Sequence, residues 1–143
     1  MPNDTRFKLL NAVHQATVKL TGGRLGWRGG GMPMLQLTTT GRKTGRPHTV
    51  MLSSPLQEGS TIVIVASRGG DDRHPAWFLN LREHPDVQVA FNGQPARPMK
   101  ARVATPEERQ RLWPRVTSDH ANYAGYQRKT TREIPLVLLE PAA

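Results

Sequence analysis

From residue 34 onward the chain is a succession of short apolar or alternating segments, each ended by a turn signal. The longest uninterrupted apolar run, Ile62 to Ala66, has five residues, whereas a helix that crosses a bilayer needs roughly 20. Short segments rich in β-branched residues and separated by turns are typical of a sheet built mainly from hairpins. Six strands are predicted, over residues 34–40, 47–53, 61–67, 86–91, 97–104 and 134–140.

Helices are predicted between some of these strands and before the first one. Pro75 suits a first helical turn and opens a helix to about residue 83. Thr105 to Glu108 matches a capping box that starts a helix to about residue 118, and a second helical piece follows over roughly 119–129. Apolar residues recur at helical spacing over residues 5–21, and six glycines follow within residues 22–31.

This order of elements indicates an α+β fold with a barrel-like sheet. Most strands follow one another as hairpins, whereas a doubly wound α/β fold would have a helix after nearly every strand. The predicted division is an N-terminal amphipathic helix with a Gly-rich linker over residues 1–31, and one sheet domain over residues 32–143.

Positive charge is concentrated in the first part of the chain. The net formal charge is +9, and no acidic residue occurs between Thr5 and Gln57, where eight Lys and Arg residues lie. Such an excess predicts an anionic partner, which is a phosphate-bearing cofactor, a nucleic acid or an anionic membrane surface.

Several kinds of catalytic site are excluded or disfavoured. The chain has no cysteine, which rules out disulfides, thiolate metal sites and cysteine nucleophiles. The five histidines lack the short pairs that helical metal ligands use, so no metal site is predicted. No G-x-S-x-G sequence occurs, and the glycines at 22–31 do not follow a predicted strand, as a nucleotide-binding glycine loop would. A cytoplasmic protein is expected, because the N-terminus lacks the uncharged apolar segment of a signal peptide.

Two segments combine cations, hydroxyls and glycines at predicted strand ends. The segment TTTGRKTGRP, residues 38–47, forms a turn that can present N–H groups and cations to phosphate or carboxylate. The segment ASRGG, residues 66–70, leads from a strand towards the helix at Pro75, and helix N-termini bind anions. Taken alone, the first is also explained as a solvated basic hairpin, and the second as an ordinary strand–loop–helix connection.

Together with two longer blocks these segments carry a family resemblance. Residues 7–141 resemble the deazaflavin-dependent nitroreductase family, through blocks in the same order: TTTGRKTGRP, ASRGG, HPAWFLNLREHPDVQV and YAGYQRKTTREIPLVLLEP. The resemblance implies a split β-barrel of about six mostly antiparallel strands that binds coenzyme F420. It also implies hydride transfer from the reduced cofactor to an electron-poor acceptor such as a quinone, nitroaromatic or enone.

The resemblance assigns residues to the two ends of the cofactor. The phosphate and oligoglutamate tail are assigned to the basic turn, at Arg42, Lys43 and Thr44. Many members have a further arginine where this chain has His48, and Arg46 is expected to compensate. The deazaflavin ring is assigned to Ser67 and to the backbone of Val65, Ala76 and Trp77, and further cofactor contacts are assigned to Arg68, Gly69 and Gly70. Arg68 replaces a lysine that is usual in the family.

The acceptor is assigned to a separate group of residues. Substrate contacts are expected at Ser53, His120, Tyr123 and Tyr126, and His120 stands where some members have a third tyrosine. Tyr126 or Ser67 is expected to orient the acceptor or supply a proton. The two tyrosines are also explained as half-buried helix residues.

Other readings of the sequence stay open. The same barrel could bind FMN or another ligand such as haem or a lipid. A small basic nucleic-acid-binding barrel is disfavoured, because only eight aromatic residues are present and the cations do not interleave with them. A monomer or a homodimer is expected, with peripheral membrane contact through the N-terminal helix as a further expectation.

Overall fold

The computed structural model describes residues 28–29 and 32–142. The predicted helix over residues 5–21 lies outside the described residues, as does most of the predicted linker over 22–31. Within that linker, Arg28–Gly29 is a two-residue strand and not part of an irregular segment.

The described residues form eight strands and three α-helices. All six predicted strands are present, and the α+β class is confirmed. The elements in chain order are β1 Arg28–Gly29, β2 Met32–Thr40, β3 Pro47–Ser53, β4 Leu56–Glu58, β5 Thr61–Val65, α1 Ala76–Glu83, β6 Asp86–Phe91, β7 Arg97–Val103, α2 Pro106–Asp119, α3 Asn122–Arg128 and β8 Leu136–Pro141. Among these helices none has the length and apolar character that crossing a membrane requires.

The strands join into one curled sheet in which every pairing is antiparallel. Its order is β1-β2-β6-β7-β8-β5-β4, and β3 pairs with β2. Strand β8 therefore lies between β7 and β5, although it follows both of them in the chain. The β6–β7 hairpin turns at Asn92 and Gly93, which both have positive φ, as the sequence signal predicts.

Ser54 connects the two outer strands of this sheet, because it stands between β3 and β4. Its backbone N–H donates to the carbonyl of Pro33 at 3.0 Å. Its buried hydroxyl donates to the carbonyl of Val63 in β5 at 2.6 Å. The chain thus passes directly from the β2 side of the sheet to the β5 side, which curls the sheet into a half-barrel.

The two faces of β5 and β8 support two separate cores. Ile62 and Ile64 pack with Val137, Leu139 and α1 on one face. Their neighbours Val63, Val65, Leu136 and Leu138 pack with α2 and α3 on the other face. This alternation follows from the period of two in a β-strand, and it places α1 and α3 on opposite sides of the same two strands.

The capping box predicted for α2 is confirmed. The backbone N–H of Glu108 donates to Thr105 Oγ1 at 3.2 Å, and the backbone N–H of Thr105 donates to Glu108 Oε1 at 2.9 Å. Arg102 on β7 binds the same carboxylate at 2.6 Å. Hydrogen bonds from Arg102 and from Thr105 hold the pKa of Glu108 at about 2, so the helix start is anchored to the sheet by a charged group.

Candidate active site

The basic turn, residues 41–46, is held by its own backbone. The N–H of Gly41 donates to the carbonyl of Arg46 at 2.7 Å, and the N–H of Gly45 donates to the carbonyl of Gly41 at 2.8 Å. Thr44 Oγ1 accepts the N–H of Arg46 at 3.2 Å. The side chains of Lys43 and Arg46 are exposed, and among the described residues neither pairs with a carboxylate. The turn therefore offers two positive charges to an anion.

His48 belongs to the same turn region, as the resemblance implies. It is exposed on β3, and its ring covers Gly41. A Cβ atom at Gly41 would lie 2.8 Å from His48 Nε2 and 3.0 Å from Thr44 Oγ1. A larger residue at position 41 would therefore have to displace the His48 ring or the Thr44 side chain.

Asn80 of α1 connects the basic turn to the helix, which the sequence did not predict. The buried Asn80 Oδ1 accepts the backbone N–H of Arg42 at 3.1 Å and its guanidinium Nη1 at 2.9 Å. Asn80 Nδ2 donates to Thr39 Oγ1 at 3.2 Å. Arg42 is therefore oriented by α1, and not freely mobile in solvent like an ordinary surface arginine.

The second predicted segment forms the Ser67 loop, residues 66–71, which begins where β5 ends. The strand stops at Val65 and not at residue 67, because the backbone turns sharply at Arg68 (φ 47°), Gly69 (φ 64°) and Gly70 (φ 86°). Ser67 is only 8% exposed, and its hydroxyl makes no hydrogen bond to any described residue. A buried hydroxyl that lacks a partner costs stability, so this group is the loop's best candidate for contact with a ligand.

Arg68 is paired within the loop. Its Nη1 donates to Asp71 Oδ2 at 2.7 Å, and both side chains are almost fully buried. A hydrogen bond from the backbone N–H of Arg73, together with the charges of Arg68 and Arg73, holds the pKa of Asp71 below its ordinary value. The predicted contact between Arg68 and the cofactor stays a prediction. The positive charge of Arg68 is already paired with the carboxylate of Asp71.

Arg132, between α3 and β8, binds the Ser67 loop through its guanidinium group. Its Nη2 donates to the carbonyls of Ser67 at 2.9 Å and Ala66 at 3.2 Å, and its Nε donates to the carbonyl of Asp71 at 2.9 Å. Its Nη1 lies 3.2 Å from His74 Nδ1. Burial, and then the charges of Arg132 and Arg82, lower the pKa of His74, which favours the neutral imidazole beside the guanidinium.

Tyr123 and Tyr126 lie together on α3, as their spacing predicts. Their rings meet edge to face, with centroids 6.0 Å apart, and the His120 ring lies 6.4 Å from that of Tyr123. Tyr123 is buried, and its hydroxyl lies 3.7 Å from Met32 Sδ. Burial raises the pKa of Tyr123 to about 12, so this phenol keeps its proton. Tyr126 is half-buried, with Lys129 Nζ 5.7 Å from its ring centroid.

Close packing at Gly70 places the Ser67 loop against α3. A Cβ atom at Gly70 would lie 2.9 Å from the carbonyl oxygen of Tyr126 and 3.1 Å from Lys129 Cβ. No side chain larger than hydrogen fits between the loop and the helix without movement. The structure thus brings Ser67, Gly69 and Gly70 to the same side of the domain as the tyrosines.

The remaining predicted residues are placed by α1, β3 and β5. Ala76 is exposed at the first turn of α1, whereas Trp77 is buried in the first core and meets Phe78 edge to face. The side chain of Val65 is buried in the second core. Ser53 is half-buried at the end of β3, and its hydroxyl donates to Met34 Sδ at 2.9 Å. This hydrogen bond lies within the β2–β3 pair, and the predicted substrate contact of Ser53 stays a prediction.

A shallow groove of about 350 Å³ borders the basic turn at Thr40 and Pro47 and continues over β6 and β7. It does not extend to the Ser67 loop or to α3. Asn80 joins the basic turn to α1, and the packing at Gly70 joins the Ser67 loop to α3. We define the candidate site by these two groups of residues, together with the start of α1 and the tyrosines of α3.

Comparisons with known proteins point to one family. The family model described as F420H(2)-dependent quinone reductase matches residues 10–141. An F420H(2)-dependent quinone reductase of Mycobacterium tuberculosis is 42% identical over 132 residues, which are 89% of this chain and 87% of that protein.

Two solved structures share both sequence and fold with this chain. One is described as an F420-H2 dependent reductase and is 38% identical, with a TM-score of 0.67 over 76% of this chain and 94% of that chain. The other is described as a domain-swapped dimer and is 34% identical, with a TM-score of 0.69 over 90% of this chain and 97% of that chain.

Proposed function

Because the chain belongs to the F420H(2)-dependent quinone reductase family, we propose that it transfers a hydride from reduced coenzyme F420 to a quinone. The observation that carries this proposal is the extent of the family match. The matched residues, 10–141, include the basic turn, the Ser67 loop and both tyrosines of α3. Nitroaromatic and enone acceptors are proposed as further substrates, since they accept a hydride in the same way.

The described residues fit this cofactor. F420 carries a phosphodiester and several carboxylates, and the basic turn offers the exposed charges of Lys43 and Arg46, with Arg42 oriented by Asn80. The buried Ser67 hydroxyl, which makes no hydrogen bond to a described residue, can meet a polar edge of the flat ring. We propose that the tail lies against residues 42–48 and that the ring lies against the Ser67 loop and the start of α1.

The protein's own contribution to the reaction is binding, orientation and a proton. Bound F420H2 would supply the hydride, so no protein nucleophile is needed. We propose that Tyr126 orients the acceptor and that its hydroxyl, or that of Ser67, hydrogen-bonds the oxygen on which negative charge develops. The buried Tyr123 keeps its proton and supports the Tyr126 ring from the edge.

A binding experiment separates this function from its alternatives. The purified protein is titrated with F420 and with FMN while fluorescence is followed, and F420 should bind more tightly. Lys43→Ala removes a charge-assisted bond worth about 1.5–3 kcal/mol, so F420 affinity should fall roughly 10- to 100-fold. Lys100→Ala is the matched control, because Lys100 is exposed on β7 and its one ion pair with a described residue is to the exposed Asp86. Equal or tighter binding of FMN by the wild type would contradict the proposal.

Assembly and location are further parts of the proposal. The solved relative described as a domain-swapped dimer favours a homodimer over a monomer, and sedimentation velocity distinguishes them. We also propose a cytoplasmic protein that touches anionic membranes through residues 5–21, on the basis of their basic amphipathic pattern. A chain shortened to residues 30–143 should then lose binding to anionic vesicles and keep its affinity for F420. Loss of F420 affinity in the folded shortened chain would assign the N-terminal residues to the site.

A further inference from the structure

The guanidinium of Arg132 donates hydrogen bonds to the backbone of the Ser67 loop. Three carbonyls of this loop, those of Ala66, Ser67 and Asp71, accept hydrogen bonds from it at 2.9–3.2 Å. These carbonyls point towards one planar group, whose donors are fixed relative to each other. The contact therefore constrains the path of the loop whatever side chains the loop carries.

The loop requires such a constraint because its backbone is unusual. Arg68, Gly69 and Gly70 all have positive φ, and a non-glycine residue in that region costs about 1–3 kcal/mol and persists only where its surroundings enforce it. The Arg68–Asp71 ion pair lies within the loop, so it cannot fix the loop relative to other elements.

Arg132 adds a polar link to α3 beside the packing at Gly70, because the backbone of Arg132 is tied to that helix. Gln127 Nε2, in the last turn of α3, donates to the carbonyl of Arg132 at 2.7 Å. A continuous series of hydrogen bonds therefore runs from the helix that carries Tyr126, through Gln127 and Arg132, to the carbonyl of Ser67.

We infer that Arg132 is a positioning residue, which fixes the Ser67 loop relative to α3 so that Ser67 and Tyr126 face the same bound pair of molecules. This inference rests on the proposed function. Lysine is not an adequate substitute, because one ammonium group cannot reproduce a planar fork that meets three carbonyls.

The test compares Arg132→Lys with Arg109→Lys. Arg109 is also partly buried, and its guanidinium donates to the carbonyl of Ile134 and to Gln127 Oε1, both at 3.2 Å. Among the described residues it makes no hydrogen bond to the Ser67 loop. Gln127 Oε1 also accepts the backbone N–H of Ile134 at 2.9 Å, so Gln127 stays oriented towards Arg132 when Arg109 is replaced. Both variants keep the charge and disturb the same stretch of chain, so they should lose similar amounts of thermal stability.

Two measurements then distinguish positioning from general stability. Arg132→Lys should weaken F420 binding and raise KM for F420H2 at least tenfold, whereas Arg109→Lys should stay within twofold of the wild type. In the cofactor-free protein, the amides of Gly70 and Asp71, which donate within the loop, should exchange with deuterium at least tenfold faster in Arg132→Lys alone.

The outcomes that overturn the inference are separate from those that overturn the proposed function. A folded Arg132→Lys with wild-type exchange and F420 affinity within twofold refutes the positioning role. If Arg132→Lys does not fold, Arg132→Gln replaces it, and failure of both to fold also refutes that role by assigning Arg132 to the stability of the whole domain. If the wild type does not bind F420, the proposed function fails, and amide exchange still decides whether Arg132 holds the loop.

Discussion

Replacement of Gly70 by alanine tests the contact that brings the Ser67 loop against α3. Gly70 is buried with φ +86°, and a Cβ atom there would lie 2.9 Å from the carbonyl oxygen of Tyr126. That oxygen accepts the backbone N–H of Lys129 at 3.1 Å, so it cannot move without the helix. Lys129 Cδ, at 3.1 Å, can move aside, whereas Lys129 Cβ, also at 3.1 Å, is attached to the helix backbone.

The expected cost has two parts, and a second glycine measures the first of them. A left-handed backbone costs an L-residue about 1–2 kcal/mol, and this applies equally to Gly59, with φ +60° in the β4–β5 turn. A Cβ atom at Gly59 meets nothing within 4 Å. Only Gly70→Ala adds an overpacking cost of about 1–3 kcal/mol. We therefore expect a loss of about 2–5 kcal/mol for Gly70→Ala and about 1–2 kcal/mol for Gly59→Ala.

Urea unfolding of the wild type and both variants measures these losses. Gly70→Ala should lose at least about 1 kcal/mol more than Gly59→Ala, a margin set by the smallest expected overpacking cost. Equal losses in the two variants would show that the loop and the helix separate easily. In that case the close approach at Gly70 would not determine how Ser67 and Tyr126 are placed.

Four further substitutions test the site and the fold. A histidine whose pKa is lowered in the folded state binds its proton preferentially in the unfolded chain, so His74 destabilises the fold as the pH drops below about 6.5. His74→Gln should therefore reduce the fall in the free energy of unfolding over this pH range. An unchanged dependence of that free energy on pH, measured by urea unfolding, would contradict this. Tyr126→Phe should lower turnover with a quinone and leave F420 affinity within about twofold, less than 1 kcal/mol, and a tenfold loss of affinity would assign the hydroxyl to the cofactor. Thr105→Ala should cost about 1 kcal/mol by removing the cap of α2, with an unchanged unfolding midpoint as the contrary result. Gly125→Ala should stabilise α3 by about 0.5–1 kcal/mol, since its Cβ would have only Arg128 Nη2 nearby, at 3.7 Å; a lower midpoint would show that α3 must bend there.

Local signals predicted most of the elements because each signal lies within the element it specifies. The capping box at Thr105 and the Asn92-Gly93 turn act over two to four residues, and the structure has both. Strand β4 was missed because it has three residues and is defined by pairing with β5 across the turn at Gly59. Three residues are too few to show the alternation of apolar and polar side chains by which a strand is recognised.

Distance along the chain also decides which parts of the candidate site can be predicted from the sequence. The basic turn and the Ser67 loop are contiguous segments, so their glycines and cations could be recognised together. Arg132 lies within the block that begins at Tyr123 and carries part of the family resemblance, but its contact with Ser67 could not be predicted, because the two residues are 65 positions apart in the chain. Arg68 and Asp71 are only three positions apart, yet Arg68 is assigned to the cofactor from the sequence and their ion pair is not predicted.

The position of β8 has a consequence for how the protein is made. Strands β1 to β7 are synthesised before β8, yet β8 fills the gap between β7 and β5. Until residues 136–141 have left the ribosome, β5 and β7 each present an unpaired edge, which is a template for association with other chains. Arg132 emerges only shortly before β8, so the Ser67 loop lacks its hydrogen bonds to Arg132 during the same interval. The sheet thus becomes continuous, and the Ser67 loop gains its contacts with Arg132, only when residues 132–141 have been synthesised.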